Sequence, residues 1–206
     1  MKVRMALTKG RLEKQFIEYF QSLSYDINPL VNKGRKLLVS TEQIEFIFAK
    51  GADVTTYVEH GIADLGIVGE DILLEFQPDV YNLMALPFGK CRLALAGQQG
   101  KEQIGRKRKI ATKYPAITRD FFRKKGESVD IFKLDGSVEL APILGLADAI
   151  VDIVETGNTL RENGLIVIEE MQPISARCIA NRSSLKLKKN LLSPIIDSMR
   201  LKEGVI

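Results

Sequence analysis

The stretch ELAPILGLADAIVDIVETGNTL, residues 139–160, is the part of the sequence that best predicts the fold class. Residues 149–154 are apolar and mostly β-branched with the exception of Asp152, a pattern typical of a short central strand. A helix is predicted before this strand, ending near Gly145, and another helix after the polar loop that follows it. Alternation of helix and strand indicates an α/β protein.

The polar loop is Glu155-Thr156-Gly157-Asn158-Thr159. Gly157 can adopt backbone angles that other residues resist, and free N–H groups at the start of a helix attract phosphate. An ordinary capped loop between strand and helix, with Thr156, Asn158 or Thr159 as the cap, explains the turn equally well. The loop lacks the GxxxxGK[ST] pattern of a Walker motif.

Two carboxylates favour the functional interpretation of this loop. Asp152 lies inside an apolar strand, where an unpaired carboxylate costs several kcal/mol, and Glu155 follows at the end of the strand. Carboxylates beside a phosphate site suit a phosphorylated sugar, because they accept hydrogen bonds from ribose hydroxyls or help to hold a Mg²⁺ ion that accompanies pyrophosphate.

A longer, gapped pattern in the same region resembles the signature of the ATP phosphoribosyltransferases. The residues that carry the resemblance are Glu139, Gly145, Ala147, Ile150, Asp152, Thr156-Gly157 and Thr159-Leu160. The similarity extends from Thr8-Lys9-Gly10-Arg11 to about Ala180. The length of the chain resembles the short form of that family, which lacks a C-terminal regulatory domain.

The resemblance implies a two-lobed architecture of the periplasmic-binding-protein type (type II), with a central cleft and a two-stranded hinge. We expect residues 1–90 and 180–206 to form the first lobe. Residues 91–179 are expected to form the second lobe, which carries the phosphoribosyl-binding loop.

The resemblance also implies the reaction. The 5-phosphoribosyl group of phosphoribosyl pyrophosphate is transferred to N1 of ATP, giving phosphoribosyl-ATP and pyrophosphate in the first step of histidine biosynthesis. Mg²⁺ is expected on the pyrophosphate, although the sequence assigns no metal ligands. Members of the short form work in homo- and hetero-oligomers with a regulatory subunit that resembles a histidyl-tRNA synthetase.

Site residues follow from the resemblance, position by position. Catalytic roles are expected for Asp152, Glu155 and Lys9. Phosphoribosyl pyrophosphate is expected to contact Glu139, Asp152, Glu155, Thr156, Gly157, Asn158 and Thr159. ATP and the polyphosphates are expected to contact Lys9, Arg11, Arg35, Gly66, Arg92, Thr112 and Lys113.

Several of these residues also have a simpler explanation. Lys9-Gly10-Arg11 is a basic turn after a predicted strand, and without the resemblance a solvated surface is favoured over an anion site. Arg92 lies within an apolar strand and needs an acid or a ligand phosphate as its partner. Gly66 permits close approach of a ligand, and Asp71 suits either a helix cap or a ligand contact.

Composition limits the remaining possibilities. The 206 residues are 45% hydrophobic and 27% charged with a net charge of +4, which suits a globular protein that binds anions. Two cysteines and a single histidine predict neither a disulfide framework nor a zinc cluster. Without a signal peptide or a membrane-spanning run, a cytoplasmic location is expected.

Two other classes of function remain as alternatives. A non-catalytic, cytosolic two-lobed protein that binds a small ligand explains residues 64–71, which also look like the ligand-facing segment of periplasmic-type folds, but it does not need the 152–159 motif. A nucleic-acid-binding protein ranks far behind, because the basic run at residues 106–109 has no interleaved aromatic side chains.

Overall fold

The computed structural model describes residues 2–100 and 107–201. The chain divides into two compact units, one made of Met1–Gly89 and Ser175–Ile206 and the other of Lys90–Ile174. It therefore passes twice from one unit to the other. No helix in the described ranges is both long enough and apolar enough to cross a membrane.

The elements alternate between helix and strand along most of the chain. The first unit begins with β1 (Val3–Thr8), α1 (Arg11–Gln21), α2 (Asn28–Val31), β2 (Leu38–Ser40), β3 (Ile44–Ala49), α3 (Gly51–Glu59), β4 (Leu65–Gly69), α4 (Glu70–Phe76) and β5 (Tyr81–Ala85). The second unit contains β6 (Cys91–Gly97), β7 (Arg108–Thr112), α5 (Pro115–Lys124), β8 (Val129–Lys133), α6 (Leu140–Ile143), β9 (Ala149–Val154), α7 (Asn158–Glu162) and β10 (Ile166–Ile174). The first unit is completed by β11 (Ala176–Ala180), α8 (Arg182–Leu187) and α9 (Lys189–Leu201).

The sheet of the first unit has the order β2-β3-β1-β4-β11-β5. Strand β1 is parallel to β3 and to β4, with Met5 in register with Phe46 on one side and Leu65 on the other. Strand β11 runs antiparallel between β4 and β5. Parallel neighbours on both sides of β1 require apolar side chains on both faces of the sheet.

Two hydrophobic clusters cover these two faces. Met5 packs with Phe16 and Phe20 of α1 on one face. Ala6 packs with Val54 of α3 on the other face. Burial on both sides explains why β1 reads as a continuous apolar run from residue 5 to residue 7, without polar alternation.

The sheet of the second unit has the order β10-β6-β9-β7-β8, with β9, β7 and β8 parallel. The strand predicted at residues 149–154 is β9, near the centre of this sheet. Ile150 packs with Ala111 on one face, and Val151 packs with Ile110 and Phe122 on the other.

Two expectations about this region need correction. The helix expected before β9 is a single turn, α6, and Gly145 follows it with a φ of 76°. The return to the first unit precedes Ser175 and does not follow residue 179 as expected. The reason is that β11 pairs with β4 and β5, so its residues belong to the first sheet.

A buried carboxylate, Asp64, connects β1 with the C-terminal segment of the first unit. Asp64 is 1% exposed and accepts hydrogen bonds from the Arg4 N–H (3.0 Å), the Ser184 hydroxyl (2.6 Å) and the Lys188 ammonium (2.8 Å). Burial alone raises the pKa of a carboxyl group, but these three donors outweigh it and hold the pKa of Asp64 below its ordinary value.

Replacing Asp64 should therefore destabilise the protein. We expect Asp64→Asn to lower the free energy of unfolding by about 2–4 kcal/mol at neutral pH, because Lys188 and Ser184 lose a charged acceptor. Asp197→Asn, at an exposed carboxylate of α9, should change it by less than about 0.5 kcal/mol. Urea unfolding followed by circular dichroism measures both, and equal stabilities of the Asp64 variant and the wild type would contradict this role.

The pH dependence supplies a second readout of the same variant. Because the folded pKa of Asp64 is lowered, its contribution is fully present above the unfolded pKa of about 3.9 and is lost as the pH falls through the folded value. The difference in stability between wild type and Asp64→Asn should therefore shrink in acid.

Candidate functional site

The predicted phosphate loop, residues 155–159, follows β9 at the edge of the sheet where the parallel strands β7, β8 and β9 all end. Ligands of open α/β sheets gather at this kind of edge. Gly157 precedes α7 with left-handed angles, φ 75° and ψ 8°, which would strain any other residue. The N-cap residue Gly157 has no side chain to cap α7, and the one side-chain contact to the start of the helix among the described residues comes from Thr156 Oγ1.

The polar groups of this loop are open to solvent. Thr156, Asn158 and Thr159 are exposed, and the Asn158 N–H donates to Thr156 Oγ1 at 3.4 Å. The N–H groups of Thr156 and Gly157 meet no hydrogen-bond acceptor within residues 2–100 and 107–201. Exposed N–H groups beside a left-handed glycine form a concave site suited to an anion.

Arg161 contacts the loop from the first turns of α7, although no motif singles it out. Its Nη1 donates to the Thr156 carbonyl oxygen at 3.4 Å, and its Nη2 donates to Asn158 Oδ1. The signal available in the sequence is the spacing of three residues between Asn158 and Arg161, which places them on one face of a helix.

The predicted carboxylates lie at different depths. Asp152 is half-buried in β9, opposite Ala94 of β6, whereas Glu155 is exposed just past the strand end. Glu139 is half-buried and immediately precedes α6. In the part of the chain that the structure describes, no group of three or more His, Cys, Asp and Glu residues could hold a metal ion.

Arg92 has an acid as its partner. Its Nε lies 2.8 Å from Glu170 Oε1, and its Nη1 donates to the Glu155 carbonyl oxygen at 3.3 Å. The guanidinium group, at the start of β6, thus joins β10 to the first residue of the 155–159 loop. Of the two kinds of partner that the sequence left open, the structure provides the acid.

Thr112 and Lys113 lie at the end of β7, beside the same loop. The buried hydroxyl of Thr112 donates to the Val151 carbonyl at 2.7 Å and accepts from the Tyr114 N–H at 2.9 Å. That hydroxyl is fully engaged in joining β7 to β9. Lys113 is exposed and has no ion-pair partner among the described residues, which leaves its charge available to a ligand.

One edge of the first unit's sheet also carries exposed cationic side chains. Thr8 is in register with Ala49, so Lys9 after β1 and Lys50 after β3 occupy neighbouring positions. Both side chains are exposed, and neither has an ion-pair partner among the described residues. Arg11 follows at the start of α1. Lys50 was not expected as a site residue, and its signal is a repeated Lys-Gly pair after each strand.

Arg35 lies near the same edge of the first sheet. Strand β2 is antiparallel to β3 and its first residue, Leu38, pairs with Ile47 near the end of β3. The segment that precedes β2 therefore lies on the side where β3 ends. Arg35 is exposed there, whereas Lys33 packs over the ring of Phe48.

Gly66 is a packing residue and does not face solvent. It is buried in β4, where a Cβ atom would lie 2.7 Å from Val58 Cγ2, 3.0 Å from Ile179 Cγ1 and 3.1 Å from Val54 Cγ1. The missing side chain lets α3 and β11 approach the strand. The expectation that Gly66 exists to let a ligand approach is therefore replaced by close packing of protein atoms.

The structure thus brings the predicted residues together in two groups. Arg92, Thr112, Lys113, Asp152 and residues 155–159 lie at or beside one edge of the second sheet, and Lys9, Arg11 and Arg35 lie at one edge of the first. Gly66 belongs to neither edge, because it is enclosed by the core of the first unit.

Sequence comparisons identify relatives over almost the whole chain. A family model for HisG, described as ATP phosphoribosyltransferase, matches residues 50–201. ATP phosphoribosyltransferases from Bacillus cytotoxicus and Bacillus cereus are each 54% identical over 200 residues, which cover 96% of this chain and 95% of each relative.

Structural comparisons agree with these relatives. A chain of the ATP phosphoribosyl transferase (HisG:HisZ) complex from Thermotoga maritima has a TM-score of 0.83 at 34% identity, with 96% of both chains covered. The periplasmic aliphatic sulphonate binding protein SsuA from Escherichia coli has a TM-score of 0.65 at 14% identity. The second similarity concerns the fold alone, and the prediction of a type II periplasmic-binding-protein-like fold is confirmed.

The packing role of Gly66 can be tested directly. We expect Gly66→Ala to lower the free energy of unfolding by about 1–3 kcal/mol, because Val58 and Ile179 must move. Gly136→Ala is the matched control, since a Cβ atom there meets nothing within 4 Å and its φ is not positive. Urea unfolding measures both variants. A Gly66→Ala protein of unchanged stability but weakened ATP binding would restore the ligand-contact interpretation.

Proposed function

This chain belongs to the ATP phosphoribosyltransferase family, and we propose that it transfers the 5-phosphoribosyl group of phosphoribosyl pyrophosphate to N1 of ATP. The products are phosphoribosyl-ATP and pyrophosphate, and the reaction is the first step of histidine biosynthesis. The observation that carries the proposal is the 155–159 loop, which lies within the matched range and keeps the backbone N–H groups of Thr156, Gly157 and Thr159 without an acceptor among the described residues.

The chemistry asks for positioning and charge more than for covalent help. Departure of pyrophosphate leaves positive charge on the ribose, as in an oxocarbenium-like transition state, and fixed anionic groups stabilise that charge. We assign this role to the carboxylates of Asp152 and Glu155, with Glu139 as a further contact to phosphoribosyl pyrophosphate. Their place at the end of β9 and before α6 supports the assignment.

The 5-phosphate is assigned to the loop itself. The N–H groups of Thr156 and Gly157 and the exposed side chains of Thr156 and Thr159 are donors of the kind that phosphate oxygens accept. Hydrogen bonds from these donors to a dianionic phosphate are charge-assisted and therefore stronger than bonds between neutral groups.

The cationic residues are assigned to ATP and the polyphosphates. Lys9, Arg11, Arg35 and Lys113 are exposed, and we add Lys50 because it neighbours Lys9 across the sheet. Lys9 is retained as the cation that balances the leaving pyrophosphate.

Three other residues of the expected ATP set receive indirect roles. We propose that Arg92 and Thr112 shape the site by holding the 155–159 loop and β7 in place, as their bonds to Glu155 and Val151 suggest. Gly66 contributes through the packing of β4.

Mg²⁺ is the proposed metal. The described residues offer single carboxylates, such as Asp152 and Glu155, and no complete set of protein ligands. This pattern fits Mg²⁺, which keeps several waters and is usually held by one or two carboxylates together with substrate phosphates. Bound there, the ion neutralises charge on the leaving pyrophosphate.

A regulatory partner is part of the proposal. The similar Thermotoga maritima structure is a HisG:HisZ complex, and we propose that this chain assembles with itself and with a HisZ-like, histidyl-tRNA-synthetase-like subunit. We also propose a cytoplasmic location, which is supported by Cys91 and Cys178, since neither forms a disulfide. Burial raises the pKa of Cys178 to about 12, so this cysteine stays a thiol in the core.

The activity is tested by release of pyrophosphate. We expect release that requires ATP, phosphoribosyl pyrophosphate and a divalent metal together, and that changes when a HisZ-like subunit is added. Omission of ATP is the control for simple hydrolysis. A folded chain that releases no pyrophosphate with or without the partner, and that does not bind phosphoribosyl pyrophosphate, would support the non-catalytic binding protein instead.

The assignment of the 5-phosphate is tested by removing a hydroxyl group. We expect Thr159→Ala to raise KM for phosphoribosyl pyrophosphate about ten-fold, the scale of one hydrogen bond to a charged group, with little change in KM for ATP. Thr56→Ala, at an exposed threonine of α3, is the control and should change neither constant. Equal loss of affinity for both substrates in a folded Thr159 variant would contradict this placement of the phosphate.

A further inference from the structure

The guanidinium group of Arg161 bonds back to the loop that precedes its own helix. It donates to the carbonyl oxygen of Thr156 at 3.4 Å and to the side-chain oxygen of Asn158. A Cβ atom at Gly157 would lie 3.8 Å from its Nη1, so the guanidinium also covers the glycine. Three consecutive residues of the loop therefore meet one side chain.

Buried Leu160 and the bond from Asn163 Nδ2 to the Thr159 carbonyl hold α7, and Arg161 adds contacts to the loop that precedes the helix. Helix α7 has only five residues and lacks a side-chain cap, and helices of that length are not stable alone. Gly157 carries no side chain that would limit its backbone angles. At the other end of the loop, Arg92 donates to the carbonyl of Glu155 at 3.3 Å, so an arginine holds each of two consecutive carbonyls.

These carbonyl contacts set the direction of the neighbouring N–H groups. In a planar trans peptide the C=O of one residue and the N–H of the next point in opposite directions. A guanidinium that holds the Thr156 carbonyl therefore directs the Gly157 N–H to the other side of the loop. The Thr156 and Gly157 N–H groups are among the loop N–H groups that meet no acceptor in residues 2–100 and 107–201.

We propose that Arg161 is a positioning residue, which holds the Thr156 carbonyl and the Asn158 side chain so that the loop N–H groups point at the 5-phosphate of the substrate. The inference rests on the proposed function of the loop. Asn158 then acts through Arg161, because its Oδ1 accepts from that side chain.

The two-point geometry distinguishes arginine from lysine at this position. A planar guanidinium offers five donors in a rigid fork and can reach two acceptors at once, whereas an ammonium is a point charge on a flexible stem. If Arg161 served the phosphate only through its charge, lysine would replace it well. If Arg161 acts by holding two acceptors at once, lysine should not replace it.

Steady-state kinetics with Arg161→Ala, Arg161→Lys and Asn158→Ala test the proposal. We expect each variant to raise KM for phosphoribosyl pyrophosphate about ten-fold, with kcat and KM for ATP within about two-fold of the wild type. The double variant Arg161→Ala/Asn158→Ala should be no worse than the worse single variant, because the two residues act as one unit. All variants should keep the wild-type unfolding midpoint, since both side chains are exposed.

Arg123→Ala is the matched control. Arg123 is an exposed arginine of α5 that pairs with Asp120 three residues earlier, as Arg161 does with Asn158, but it lies away from the loop in sequence and contacts none of its residues. Its replacement should leave all kinetic constants unchanged.

Four outcomes would overturn the inference. A wild-type KM for phosphoribosyl pyrophosphate in Arg161→Lys would show that charge alone matters. A KM in the double variant raised by the product of the two single effects would show that Asn158 acts independently. A Thr159→Ala variant that raises KM while the Arg161 variants do not would leave the loop as the phosphate site without this positioning residue. If Thr159→Ala and the Arg161 variants all bind phosphoribosyl pyrophosphate normally, the loop assignment itself fails, and the inference fails with it.

Discussion

Parallel pairing of strands is the constraint from which the arrangement of charged groups follows. Parallel neighbours end at the same edge of a sheet, so the register that aligns Thr8 with Ala49 also brings Lys9 beside Lys50. In the second unit the alignment of Thr112 with Val151 brings Lys113 to the edge where the 155–159 loop begins. An anion bound at such an edge is attracted by both neighbouring cations, and the cores fix the strand positions from which these side chains extend. The sheets therefore place cationic side chains from separate parts of the sequence at the same edge, where they can bind an anion.

The 155–159 loop shows how a binding site can be rigid and still keep its donors free. A side-chain cap on α7 would stabilise the helix but would consume the N–H groups that a phosphate needs. Here Arg92 and Arg161 hold the carbonyls of Glu155 and Thr156, and the N–H groups of Thr156 and Gly157 stay without an acceptor among the described residues. Arg92 in turn contacts Glu170 of β10, so the loop is fastened to the sheet as well as to its own helix.

The features that depend on local patterns could be predicted from the sequence, and those that depend on distant neighbours could not. The apolar run at 149–154 predicted β9 and the loop after it, because burial and turn chemistry are visible in consecutive residues. The role of Gly66 depends on Val58 and Ile179, which only the fold brings to it. The acid that pairs with Arg92 and the acceptor of the Thr112 hydroxyl lie on other strands. The early return of the chain before Ser175 followed from β11 pairing with strands far away in sequence, which no composition change marks.

That return strand also sets an order of events during synthesis. In the first sheet β5 lies at the edge and pairs with β11, which stands between it and β4. The ribosome makes β5 before residues 90–174 and makes β11 only after them. Strand β5 therefore has no pairing partner while the second unit is being synthesised. The second unit is continuous in sequence and can complete its sheet in that interval. The first unit therefore completes its sheet last, after the whole sequence of the second unit has been made.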